Sequence, residues 1–239
     1  MMERAAETSP RVKARVAGAL YLVIIVTALF AEVFVRGWLV VNGDAAATAA
    51  NILAHQPLYR LGGVADLIAF VCDAGVALIF YDLFSPVSGS VSLLAAFFRL
   101  VHVAIVGVTT VCHFAPLVFL GEAHYLSAFS RDQLQALAMA SLKLHTLGYM
   151  VALVFFGFHC VLTGCLIWKS TFLPRTLGTV MAVAGFCYLT NSFASLLSPA
   201  IAGHLYPWIL LPGALGEWSL TAWLLCVGVR VPSARAVSP

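Results

Sequence analysis

Residues 61–84 read LGGVADLIAFVCDAGVALIFYDLF and residues 91–120 read VSLLAAFFRLVHVAIVGVTTVCHFAPLVFL, with only the six residues 85–90 between them. Each run exceeds the roughly 20 apolar residues that carry a helix across a bilayer, and so short a connection makes the two an antiparallel hairpin. Runs of the same kind at 14–35, 147–168, 173–197 and 207–229 complete a set of six. The expectation is an all-α integral membrane protein, one bundle of about six transmembrane helices without a second domain. Backbone groups in hydrocarbon must find partners within their own segment, and the runs lack the short alternation of a barrel.

Composition agrees. The 239 residues are 62% apolar and 10% charged, with a mean hydropathy of +0.99. A soluble domain carries about 25% charged residues, so a water-facing globule is excluded. A disordered chain needs high charge and low hydrophobicity, and a nucleic-acid binder needs a basic face that 13 Lys and Arg against 10 acids do not supply. The expected surroundings are the lipid bilayer, with no nucleic acid; a homo-oligomer is compatible with the sequence. Cys72, Cys112, Cys160, Cys165, Cys187 and Cys226 all fall inside apolar runs, where cysteine packs as a small, weakly polar residue and implies no disulfide framework.

The basic stretch at Arg4, Arg11, Lys13 and Arg15 resembles the start of a secretory signal, but the run behind it is too long and lacks a cleavage pattern, so it reads as an uncleaved first span. With the N-terminus inside, Arg4, Arg11, Lys13, Arg15, Lys169, Arg175, Arg230 and Arg235 fall on the inner side and Arg36, Arg60, Arg131 and Lys143 on the outer. The excess of basic residues predicts both ends in the cytoplasm, with 230–239 as a short tail. On the outer side Asp44 can cap a short surface helix through Ala45 to His55, ended by Pro57. Ser130 or Asp132 can start a helix running into the fourth span.

Several strings together look familiar: RVAGALY at 15–21, GDAAATAANI at 43–52, AFFRL at 96–100, FFGFHC at 155–160 and LPRTLG at 173–178. As a set they resemble the bacterial domain-of-unknown-function family numbered 4386, small multi-pass membrane proteins, over nearly the whole chain up to about residue 230. The resemblance implies a helical fold in the bacterial cytoplasmic membrane. It carries no activity, cofactor or catalytic residue.

Ionisable groups in hydrocarbon are costly, so each needs a partner or a role. At about 1.5 Å per residue, Asp73 lies about 16 Å from the inner end of its span, Arg99 about 12 Å, His102 about 16 Å, His159 about 14 Å and Glu217 about 20 Å. These five share a slab near the midplane. Asp73 and Arg99, on hairpin partners, are the natural ion pair; His102 is one turn from Arg99, and Asp66 lies two turns before Asp73 on the same face. Two readings stay open: a buried lock that fixes helix register, or a polar cavity for a small polar solute or ion in transport or sensing.

Two enzyme-class alternatives stand beside these, although no cofactor is the leading expectation. His102 opposite His159 and His113 opposite His145 have spacings that suit bis-histidine haem. Asp73, His102 and His159 could ligate zinc for a hydrolase with Glu217 as acid or base, against which stands the adjacent Arg99. No Walker loop, dinucleotide glycine motif, GxSxG elbow or SxxK occurs. Glu32 and Arg36, four apart, are expected to pair at the outer interface, with Asp82 near water at the inner boundary. Trp38, Trp168 and Trp208 form an aromatic belt, and Asn191, Ser192 and Ser195 bond between helices.

Overall fold

A computed structural model describes residues 9–229. Among them there is no strand, and six helices are long and apolar enough to cross a membrane: Pro10–Leu39, Gln56–Phe84, Gly89–Phe119, Arg131–Lys169, Arg175–Leu197 and Trp208–Cys226, the first to sixth spans. Arg4, Arg230, Arg235 and the 230–239 tail lie outside the described residues. Each span packs chiefly on its neighbours in sequence and the sixth returns against the first, so the six close into a ring. Tyr21, Phe80, Phe156, Cys160, Met181 and Leu220 are among the buried residues of its inner core. A second cluster, Val35, Leu39, Ile52, Tyr59 and Leu142, closes the end of the ring at which the first span finishes.

Caps fix where the helices begin. Asp44 accepts from the Ala47 N–H at 2.8 Å and starts the helix Ala45–Ala54, the cap and helix being as expected. Pro57 does not end it. The chain breaks at His55, and Pro57 sits in the first turn of the second span, where its missing N–H costs nothing; that span therefore starts at Gln56 rather than 61. Ser130, not Asp132, caps the fourth span in a reciprocal box with Gln133. The fourth span is one unbroken helix of 39 residues, so the expected helix from Ser130 and the apolar run from 147 are continuous. Between the fifth and sixth spans Pro199–Leu205 forms a further short helix that hydropathy alone does not separate.

The helices depart from simple packing in two places. In the first span, Phe30–Arg36 is a π-helical stretch, with the Gly37 N–H reaching back to the Glu32 carbonyl. Such a widened turn changes the direction of every later side chain, here Arg36. Between the fourth and fifth spans, backbone meets backbone at two glycine pairs. A Cβ on Gly164 would lie 2.6 Å from the Gly178 oxygen, and one on Gly185 would lie 2.6 Å from the Gly157 oxygen. Members of each helix's pair are seven residues apart, two turns, which keeps both on the contact face of an antiparallel crossing.

Candidate functional site

Arg99, on the third span, is fully buried and has its guanidinium filled by the chain itself. Nε donates to Asp73 Oδ1 at 2.9 Å, and the Nη2 group donates to the same oxygen. Nη1 donates to His159 Nε2 at 2.9 Å and to the Tyr21 hydroxyl at 3.5 Å. His159 must therefore carry its proton on Nδ1, which donates to the Ala95 carbonyl at 2.9 Å. Ala95 and Arg99 are one turn apart on the third span, so one imidazole ties the fourth span to both. Aromatic rings of Tyr21, Phe156 and Phe80 lie 4.7, 5.5 and 5.9 Å from the guanidinium carbon. Such rings hold a desolvated cation through their quadrupoles.

His102 completes the group at longer range. Its Nδ1 bonds the Ala152 carbonyl at 3.2 Å and its Nε2 is 3.9 Å from Asp73 Oδ2. Four expected residues, Asp73, Arg99, His102 and His159, thus come together on the second, third and fourth spans, with Tyr21 of the first as an unanticipated fifth. Tyr21 is a polar-tipped ring in mid-span rather than at an interface, and that placement is its signal in the sequence.

Two expected members take other hydrogen-bond partners. Glu217 accepts from the Tyr188 hydroxyl, joining the sixth span to the fifth, while it stays within electrostatic reach of Arg99 and Asp73. Its helix packs on the first span, which carries Tyr21. Asp66 does share the buried face of Asp73, but seven residues separate them by about 10 Å along the axis, and Asp66 meets Arg36 instead. Arg36 forks onto it at 2.6 and 3.2 Å and also reaches Glu32 at 2.7 Å, so the surface pair expected between Glu32 and Arg36 is the outer edge of a buried one.

These two contacts differ in value. The Asp66 and Arg36 side chains are 6% and 14% exposed, whereas that of Glu32 is 67% exposed. Removing Arg36 strands a buried carboxylate, so Arg36→Leu is expected to cost about 3–5 kcal/mol of stability in detergent unfolding, against less than about 1 kcal/mol for Glu32→Ala. Equal losses would show that Asp66 is solvated in the folded state.

Two further candidate histidines, His113 and His145, form a clamp. His113 donates from Nε2 to the Tyr59 carbonyl at 3.1 Å, while the Tyr59 hydroxyl donates to the His113 carbonyl, and the rings stack at 4.3 Å. His145 bonds the Thr109 carbonyl at 3.1 Å, with its ring 5.8 Å from that of His113. Axial haem ligation would have to undo the two bonds of His159 and move Tyr59 and Phe114 from around His113. Among the described residues no three His, Cys, Asp or Glu side chains gather as a ligand set. A cavity of about 110 Å³ lies beside the Ala45–Ala54 helix and one of about 280 Å³ between the fourth and fifth spans, and neither is lined by Asp73, Arg99, His102 or His159.

No solved structure matches the chain. An uncharacterised protein of Archaeoglobus fulgidus is 28% identical over 174 residues, which is 73% of this chain and 86% of that one. A family model described as a domain of unknown function, DUF4386, matches residues 16–228, and the ring of six spans with its buried Asp73–Arg99 pair thus belongs to the DUF4386 family.

Proposed function

We propose that this chain is a non-enzymatic multi-pass protein of a cytoplasmic membrane whose midplane network, Asp73, Arg99, His159 and Tyr21 with His102 beside them, is a lock that holds the first four spans in register. The observation that carries this reading is the closure of Arg99. It is fully buried, its hydrogen-bonding arms meet groups of the chain, and aromatic rings flank it. A transport or sensing site for a polar solute needs a donor or acceptor left open to the ligand and room beside it. A metal hydrolase needs a water position beside its ligands, and here the guanidinium occupies that ground. Both chain ends on the cytoplasmic side is the orientation supported by Arg11, Lys13, Arg15, Lys169 and Arg175 at one end of the bundle.

Cys160 reports on the lock directly. It is fully buried and adjoins His159. With the other five cysteines replaced, Cys160 is expected to resist a small charged thiol reagent in intact membranes until the protein is denatured. Rapid labelling in the folded state, slowed by an added polar solute, would mean a water-filled cavity at the midplane and would overturn the lock in favour of ligand handling.

A further inference from the structure

The 280 Å³ cavity is an open groove between the fourth and fifth spans, lined by Gly164, Cys165, Trp168 and Lys169 on one side and by Gly178, Thr179, Ala182, Val183 and Phe186 on the other. It arises from the glycine crossing: where Gly164 and Gly178 bring the backbones together, no side chain fills the outward-facing crevice. Its volume is close to the roughly 300 Å³ at which small-molecule sites begin. Its lining is apolar apart from Thr179 and Lys169; Lys169 closes the fourth span, and Arg175, just beyond the lining, opens the fifth. The Arg175 guanidinium carbon lies 5.2 Å from the Trp168 ring centre. Neither cation forms an ion pair among the described residues.

Length identifies the occupant. Phe186 is eleven residues from Arg175, about 16 Å along a helix, and half of a hydrocarbon core of roughly 30 Å is about 15 Å. The groove lining itself, Gly178 to Phe186, covers about 12 Å of that depth, and Arg175 beyond its mouth completes one leaflet, with Trp168 at headgroup level and two positive charges there. We infer that this groove binds an anionic phospholipid, one acyl chain lying along Gly164, Gly178, Ala182 and Phe186 and the phosphate at Lys169 and Arg175. Basic residues beside crevices between spans recognise anionic headgroups in this way.

The test uses the full-length protein in detergent, titrated with phosphatidylglycerol or phosphatidylcholine of identical acyl chains and followed by native mass spectrometry and by maleimide labelling of Cys165, which is exposed in the groove. Phosphatidylglycerol is expected to bind about tenfold or more tighter and to protect Cys165, since each basic residue near the surface adds to anionic-lipid binding. Lys169→Gln with Arg175→Gln should abolish the preference and leave the lipid-free unfolding midpoint unchanged, whereas Arg15→Gln, an exposed cation away from the groove, should not abolish it. Equal binding of the two lipids, or a preference that survives the double substitution, overturns the proposal. So does protection of Cys165 that appears without lipid on dimerisation, which would give the groove to a second copy of the chain.

Discussion

Arg99→Met is expected to lower the unfolding free energy by about 3–5 kcal/mol, because it leaves the Asp73 carboxylate unpaired in a dry interior. Asp73 is 3% exposed and His102 stands 3.9 Å from its second oxygen without a hydrogen bond, so the carboxylate has no replacement cation in reach. His159 Nε2 and the Tyr21 hydroxyl lose their shared donor as well. The informative partner is the double change Asp73→Leu with Arg99→Met, since replacing a buried ion pair by apolar groups of like volume is often neutral or stabilising. Chemical denaturation in micelles should show the double variant recovering most of the loss. If it is as unstable as the single one, the value of Arg99 lies in its packing among Tyr21, Phe80 and Phe156 rather than in its charge.

Gly178→Val should be at least as damaging, about 4 kcal/mol or more, at the upper end for a point substitution. The added Cβ alone would lie 2.7 Å from the Gly164 oxygen and 2.8 Å from the Trp168 nitrogen. Both are backbone atoms of a helix and cannot swing aside, so the two spans must separate along their whole seam. Gly107→Ala is the control: a Cβ there meets nothing within 4 Å, and exchanging a helical glycine for alanine in open space stabilises by up to about 1 kcal/mol. Circular dichroism and size-exclusion chromatography after thermal challenge would separate the two. A Gly178→Val protein as stable as the parent would mean that the fourth and fifth spans do not meet at these glycines.

Much of this architecture is legible in the residues, and the reasons are specific. Six spans follow from hydropathy because a bilayer imposes one length on every helix, and the Asp73–Arg99 pair follows because a six-residue connection makes the second and third spans neighbours. Counting residues from a span end gives depth but no position around the ring. Depth alone therefore shows neither the Tyr188 hydroxyl that Glu217 accepts from nor the link of Asp66 to Arg36. The π-helical turn at Phe30–Arg36 that aims Arg36 inward depends on what it meets, and no local propensity announces it. The glycine seam is visible as Gly157 with Gly164 and Gly178 with Gly185, each pair seven apart on successive spans, but only an antiparallel register turns that spacing into contact.

The uninterrupted fourth span has a mechanical meaning. At 39 residues it is about 58 Å long, nearly twice the hydrocarbon thickness, and it carries both the packing against Ala45–Ala54 and the midplane imidazole of His159. A helix without a break is a stiff rod: a push at its Arg131 end cannot be absorbed in a hinge and turns the whole rod about the glycine seam. His159 lies inside that seam, between Gly157 and Gly164, so the midplane imidazole sits at the fulcrum of a lever whose far arm ends at Lys169.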